Sequence, residues 1–129
     1  MEYNYTIYPE EKLVIDSVSG GVTIEAFVQH TEKLFAEPEY SPTYSGLIDL
    51  RGATSRLSKV EVYGLANYLN QSEQFGKAPW AVLVKDPVVL ALAQVFQKRM
   101  VDDTLIGIFS TVELAAEYLE KPELLKRYE

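Results

Sequence analysis

The sequence of 129 residues contains no cysteine and only one histidine. Without cysteine there is no disulfide, zinc knuckle, iron–sulfur cluster or thiol nucleophile. A single histidine, His30, leaves a metal site short of ligands, and we expect neither a metal nor a cofactor. We predict that His30 lies on the flank of the first helix, with a role as a general base as the minor alternative.

Basic residues are also scarce, because 12 Lys and Arg stand against 19 Asp and Glu for a net charge of −7. Such a surface repels phosphate backbones, so we expect no nucleic-acid partner. No apolar run approaches the ~20 residues that span a bilayer, and the first residues lack the basic and apolar regions of a secretory signal. These features predict a cytoplasmic protein without a membrane span.

Apolar residues make up 47% of the chain, and the length suits a single domain over residues 1–129. Two β-rich runs, residues 3–8 and 13–18, predict an antiparallel pair that ends at Ser19-Gly20-Gly21. From Thr23 the apolar spacing becomes helical and remains so up to Pro38. The first part of the chain therefore reads as two strands followed by a helix.

Three strand-and-helix repeats follow, with strands predicted at residues 46–50, 80–84 and 104–109. Capping boxes headed by Ser58 and Ser110, and an N-cap at Asp86, mark the three helix starts. Pro122 ends or interrupts the last helix, before a short terminal turn. The side chains predicted to face inward are Val62, Leu65, Ala66 and Leu69; Val89, Leu92, Ala93, Phe96 and Met100; and Val112, Ala115, Ala116 and Leu119.

This order, ββαβαβαβα, predicts a five-stranded mixed, mostly parallel sheet with helices on both faces. Ligands of such sheets usually bind beyond the carboxyl ends of the parallel strands, where the strand order reverses. Polar residues at that edge could hold a small anion or a polar head, or could simply cap helices and pair with each other. These candidates are Asp49, Arg51, Thr54, Ser55, Lys85 and Asp86.

Two helices carry unusual side chains. Tyr63, Asn67 and Tyr68 lie off the inward stripe of the second helix, where tyrosines either contact a partner or ligand or are ordinary surface residues. The helix over residues 87–101 is apolar on more than one face. This excess indicates either self-association or an apolar pocket beneath the helix.

The element order resembles that of the small STAS-like, SpoIIAA-like bacterial proteins, as do two segments. These are Gly-Leu-Ile-Asp-Leu-Arg-Gly-Ala at residues 46–53 and Ile-Gly-Ile-Phe-Ser-Thr-Val-Glu-Leu-Ala-Ala-Glu-Tyr-Leu at residues 106–119. Such proteins are related in fold to anti-sigma-factor antagonists and CRAL-TRIO lipid-binding domains. The resemblance implies this fold and a non-enzymatic binding or regulatory role, with a protein partner, a homodimer or a small apolar or amphipathic ligand.

Two alternatives remain open. In anti-sigma-factor antagonists a phosphorylatable serine follows the Asp-Leu strand, and Ser58 occupies that position here, without the motif's preceding aspartate or its glycine. The resemblance thus implies a phosphoswitch through Ser58 as an alternative function. A small acid–base enzyme that uses Asp49, Lys85 and Asp86 is the further alternative.

Overall fold

A computed structural model describes residues 1–128 and contains one sheet of five strands in the order β1-β2-β3-β4-β5. β1 and β2 are antiparallel, and β2 through β5 are parallel, so the predicted fold class is confirmed. The predicted domain also includes residue 129, which lies outside the described residues. The strands are β1 (Glu2–Tyr8), β2 (Leu13–Val22), β3 (Ser45–Ser55), β4 (Trp80–Leu83) and β5 (Ile106–Phe109).

The four α-helices follow β2, β3, β4 and β5, one after each. Among the described residues, no helix is long and apolar enough to cross a membrane. The helices are α1 (Ile24–Phe35), α2 (Lys59–Gln71), α3 (Pro87–Arg99) and α4 (Val112–Leu119). Two 3₁₀ helices are also present, Asp103–Leu105 before β5 and Pro122–Tyr128 after α4.

The helix starts follow the predicted capping chemistry with one exception. Ser58 and Glu61 form the expected capping box on α2, and Asp86 caps α3. The N-cap of α4 is Thr111, whose hydroxyl accepts from the backbone N–H of Leu114 at 3.2 Å, and the prediction of Ser110 was wrong. An N-cap residue is extended and directly precedes the first helical residue, so Ser110 serves as the link from β5.

β2 and β3 are both longer than the sequence predicts. β2 continues through Ser19-Gly20-Gly21 to Val22, with Gly20 at a φ of +80°. β3 pairs alongside it as far as Ser55, after a shift in register between Ser17 and Ser19. Glycine tolerates this conformation, so mutual pairing carries the two strands past the end of β4.

The sheet buries a different set of side chains on each face. The three-helix face packs against α1, α2 and α3 around Val14, Val18, Ile48, Val82 and neighbouring residues. The one-helix face packs against α4 and the C-terminal 3₁₀ helix around Leu13, Leu47, Ala81, Leu83 and Leu124. The strands are added to the sheet in sequence, and crossovers of the same hand place α1, α2 and α3 on the same face. α4 follows the last strand and covers the other face.

Candidate functional site

A cavity of about 140 Å³ lies on the three-helix face, between the sheet and α1, α2 and α3. Native interiors hold few voids larger than a water molecule, so this volume is unusual for a domain of this size. Apart from Thr31 of α1, the helical lining is apolar, and it includes α3 side chains that the sequence predicts to face inward. It comprises Phe27, Leu34 and Phe35 of α1, Val62, Leu65 and Leu69 of α2, and Val89, Leu92, Ala93 and Phe96 of α3.

Aromatic rings line one end of the cavity. The Phe75 ring lies 5.8 Å from that of Trp80 and 6.4 Å from that of Phe35, measured between centroids. Trp80 rests directly on Gly46, where an added Cβ would fall 2.4 Å from the indole carbons. Only glycine permits the ring to approach the strand this closely, so the absence of a side chain at Gly46 makes room for the indole of Trp80.

The cavity wall contains one ionisable side chain among the described residues that line it, Asp16 of β2. Asp16 is 4% exposed, and its Oδ1 lies 2.8 Å from Nε2 of His30, which is 8% exposed. Burial raises the pKa of Asp16, while the hydrogen bond and charge of His30 act in the opposite direction. The structure thus places a buried carboxylate–imidazole pair beside an apolar chamber.

Tyr3 of β1 covers this pair from outside. Its ring stacks on the His30 imidazole, with centroids 3.8 Å apart and planes 12° from parallel. The Tyr3 hydroxyl is buried without a hydrogen-bond partner among residues 1–128, and burial, reinforced by the charge of Asp16, raises its pKa. Tyr5 lies 5.4 Å from the same imidazole and donates to Oε1 of Glu37.

The prediction that His30 lies on a helix flank was therefore wrong. His30 is one of the three buried residues of α1, because Tyr3 and Tyr5 of the edge strand β1 pack against this side of the helix. The sequence did contain a signal for Asp16: in β2 it alternates with Val14 and Val18, which share its face. An aspartate on the buried side of a strand needs a partner, which the folded chain supplies as His30.

Asp49 and Arg51 form the ion pair that the sequence allowed as an alternative. Arg51 donates to both carboxylate oxygens, Nε to Oδ1 at 3.0 Å and the terminal nitrogen to Oδ2 at 2.8 Å. Burial on its own raises the pKa of Asp49, but the hydrogen bonds from Arg51 and the nearby Tyr128 hydroxyl hold it below its usual range. The Arg51 guanidinium also lies 5.6 Å from the Tyr128 ring centroid, so the pair contacts the C-terminal 3₁₀ helix.

The other carboxyl-edge candidates are dispersed. Arg51, Lys85 and Ser110 share a shallow surface depression, whereas Oδ2 of Asp86 accepts the backbone N–H groups of Val88 and Val89. Because the strands follow one another in sequence, the described sheet has no reversal point at which a crevice would form. The acid–base hypothesis for Asp49, Lys85 and Asp86 stays a prediction. Both of its carboxylates already have hydrogen-bond partners, Arg51 for Asp49 and the backbone of α3 for Asp86.

Thr54 and Ser55 lie at the end of β3, beyond the edge of β4. Thr54 is exposed, whereas Ser55 lines the cavity and accepts the backbone N–H of Leu57 at 3.1 Å. Of the residues predicted for the carboxyl edge, Ser55 is therefore the one that the structure places at the cavity wall.

The tyrosine-bearing face of α2 is partly used within the molecule. The Arg99 guanidinium sits 3.8 Å above the Tyr63 ring, and Tyr68 packs against the core. Asn67 is exposed, as is Ser58, whose hydroxyl is held by Glu61. A partner at Tyr63 and Asn67 and a phosphoryl group on Ser58 stay predictions.

No protein-family model matches this chain, and no curated protein matches its sequence. One solved structure, an uncharacterized protein of the DUF3478 family with a SpoIIAA-like fold from Shewanella loihica PV-4, is similar with a TM-score of 0.53. The similarity covers 83% of each chain at 17% sequence identity, which supports a common fold. Together with the mixed sheet and its helices, this comparison shows that the chain has the SpoIIAA-like fold that the sequence resemblance implied.

Proposed function

We propose that this domain is a binding module whose cavity on the three-helix face takes up a small apolar or amphipathic molecule. The observation that carries the proposal is the volume of about 140 Å³ lined mainly by apolar side chains. At roughly 24 cal/mol per Å³, an unfilled cavity of this size costs about 3 kcal/mol of folding stability. A ligand inside it would restore the dispersion contacts that its walls lack.

The volume indicates the size of the ligand. An apolar cavity of about 150 Å³ engineered in another protein stays dry and binds benzene. One aromatic ring or a short alkyl chain is therefore the size that fits here, and toluene is a suitable first probe. The aromatic end formed by Phe35, Phe75 and Trp80 offers ring faces and edges to such a molecule.

The test is toluene binding measured by calorimetry and by the shift in melting temperature, together with native mass spectrometry of freshly purified protein. A ligand that binds only the folded state raises stability by RT ln(1 + [L]/Kd), about 2.7 kcal/mol at a hundredfold excess over Kd. We expect saturable binding and a rise in melting temperature that grows with toluene concentration.

Two variants of α3 separate the cavity from the rest of the helix. Ala93→Leu adds its side chain inside the cavity, whereas Ala91→Leu adds the same atoms to the exposed side. We expect the first variant to lose toluene binding and the second to keep it. Equal affinities in both variants, or no binding by the wild type, would contradict the proposal.

A further inference from the structure

We propose that the ligand of this cavity is a small neutral molecule with an apolar body and one hydroxyl group, and that the hydroxyl donates a hydrogen bond to Asp16. This inference rests on the proposed function, because it specifies the chemistry of a ligand in the same cavity. The residue assigned here is Asp16, with His30 as the residue that positions it.

The first support is the placement of the carboxylate. Asp16 belongs to the cavity wall, and its carboxylate has two partners: His30 Nε2 contacts Oδ1 at 2.8 Å, and the backbone N–H of Ser17 also donates to it. A carboxylate offers about four acceptor positions, so Asp16 retains capacity for a further donor. The His30 ring is itself held by its stack with Tyr3, which fixes the direction from which it approaches Asp16.

The second support is that the Asp16–His30 pair is buried although such a pair adds little to stability by itself. Apolar replacements of a buried acid–base pair, at similar volume, are often neutral or stabilising. Tyr3 stacks on His30 but does not line the cavity, so Asp16 is the member of this cluster that a ligand would contact.

The third support is that Asp16 is a stronger acceptor than the other polar side chains at the wall. The Thr31 hydroxyl donates to the carbonyl of Phe27 at 2.9 Å, and Ser55 accepts from Leu57. Both hydroxyls therefore serve the backbone beside them. Asp16 presents the strongest acceptor to the chamber, and a ligand that donates one hydrogen bond matches it.

The chemical class of the ligand follows from the cost of entry. An ammonium or carboxylate group would lose its hydration in an apolar chamber, at several kcal/mol per ion, and a carboxylate would also be repelled by Asp16. A hydroxyl costs less to desolvate and can donate. Phenols and small alcohols have this composition.

The experiment compares phenol with toluene, which are nearly isosteric, by calorimetric titration at pH 7. The quantity measured is the ratio of the two dissociation constants in the wild type, in the double variant Asp16→Leu/His30→Leu and in Asp16→Asn. Because the hydration costs of the two probes are common to all the proteins, they cancel between variants. Asp49→Asn, which alters a carboxylate on the opposite face, is the matched control.

We expect the preference for phenol over toluene to fall at least tenfold in the double variant, to fall by a smaller factor in Asp16→Asn, and to stay unchanged in Asp49→Asn, since a hydrogen bond to a charged group is stronger than a neutral one. A preference equal in all four proteins, with toluene still bound, would overturn this inference and leave the proposed function intact. Binding of neither probe by the wild type would overturn both. If the double variant does not fold, Asp16→Asn decides, because its amide oxygen can keep the contact with His30 while the charge that strengthens the bond to phenol is removed.

Discussion

The two faces of the sheet are built by the same strands and packed to different standards. Leu47 and Ile48 are adjacent in β3 and point to opposite faces. On the one-helix face the small side chains of Ala115 and Ala116 let α4 approach closely, and Leu124 is fully buried. On the three-helix face, side chains of α1, α2 and α3 surround a cavity. One face thus contributes close packing, and the other provides space.

The pKa of a carboxyl group is shifted in opposite directions on the two faces. Asp16 of β2 and Asp49 of β3 lie on neighbouring strands and on different faces. Burial raises the pKa of Asp16, whereas hydrogen bonds from Arg51 outweigh burial and lower that of Asp49. The difference follows from the partner, because Arg51 offers a two-point fork near solvent and His30 a single contact inside the molecule.

The largest expected difference between the faces comes from removing a leucine. Leu124→Ala creates a new void on the one-helix face and should lower the free energy of unfolding by about 3 kcal/mol. Leu92→Ala enlarges a cavity that already exists, from a half-buried position, and should cost about 1 kcal/mol. Urea denaturation of both variants measures the difference, and equal losses would show that the faces are equally well packed.

Adding the same side chain to each face should change stability in opposite directions. Ala115→Leu overfills a fully buried position on α4 and should cost about 1–3 kcal/mol. Ala93→Leu fills part of the cavity and should stabilise the protein by about 1 kcal/mol, at roughly 0.8 kcal/mol per buried methylene less the strain of fitting it. Melting temperatures of the two variants provide the check. Destabilisation by Ala93→Leu similar to that by Ala115→Leu would mean that the chamber cannot accept an extra side chain.

The helix caps should behave alike on both faces, because a cap is a local interaction. Ser58→Ala removes the hydroxyl that accepts from Glu61 N–H at 3.2 Å, and Thr111→Ala removes the equivalent contact to Leu114. Each substitution should lower the free energy of unfolding by about 1 kcal/mol. Ser58→Asp retains a capping oxygen and serves as the control. A loss at one cap several times that at the other would show that capping depends on the face.

The smallest expected effect is the pH dependence contributed by the two aspartates. The folded pKa of Asp49 is depressed, so its contribution to stability is present above its unfolded pKa of about 3.9 and is lost as pH falls further. Asp49→Asn should therefore lose less stability than the wild type between pH 5 and pH 3, by under about 1 kcal/mol for a pair of this exposure. The folded pKa of Asp16 is raised, so Asp16→Asn should lose more stability over the same interval. Denaturation across this pH range tests both signs, and changes in the same direction would contradict the contrast.

Most of the architecture could be predicted because it depends on local patterns. The 3.6-residue spacing correctly identified the inward faces of α2, α3 and α4, and Ser58 and Asp86 mark the starts of α2 and α3. The ends of β2 and β3 could not be predicted, since glycines usually end a strand. Here Gly20 and Gly21 stay in β2 because they pair with β3, which lies far along the chain. Local propensity does not contain that information.

The site was harder to predict for a similar reason. A pocket under α3 was one of two explanations for its apolar excess, but the volume depends on how three helices fit together. The apolar side chains of α3 are divided between the core and the surface, because Val89 is buried whereas Val88 is 54% exposed and Leu90 37% exposed. Asp16 and His30 belong to separate elements, and only the folded chain brings them to 2.8 Å.

The sequential strand order also bears on how the chain folds. Each strand pairs with the one before it, so the sheet can extend outward from the β1–β2 hairpin. The one-helix face also needs the Pro122–Tyr128 helix, which packs near the turn between β1 and β2. There Lys121 Nζ donates to the Glu11 carbonyl at 2.7 Å, and Arg127 bonds the Glu11 carboxylate across 116 residues. Because Leu13 and Leu47 are covered by α4 and the 3₁₀ helix that follows it, we expect the three-helix face to assemble before the one-helix face during synthesis.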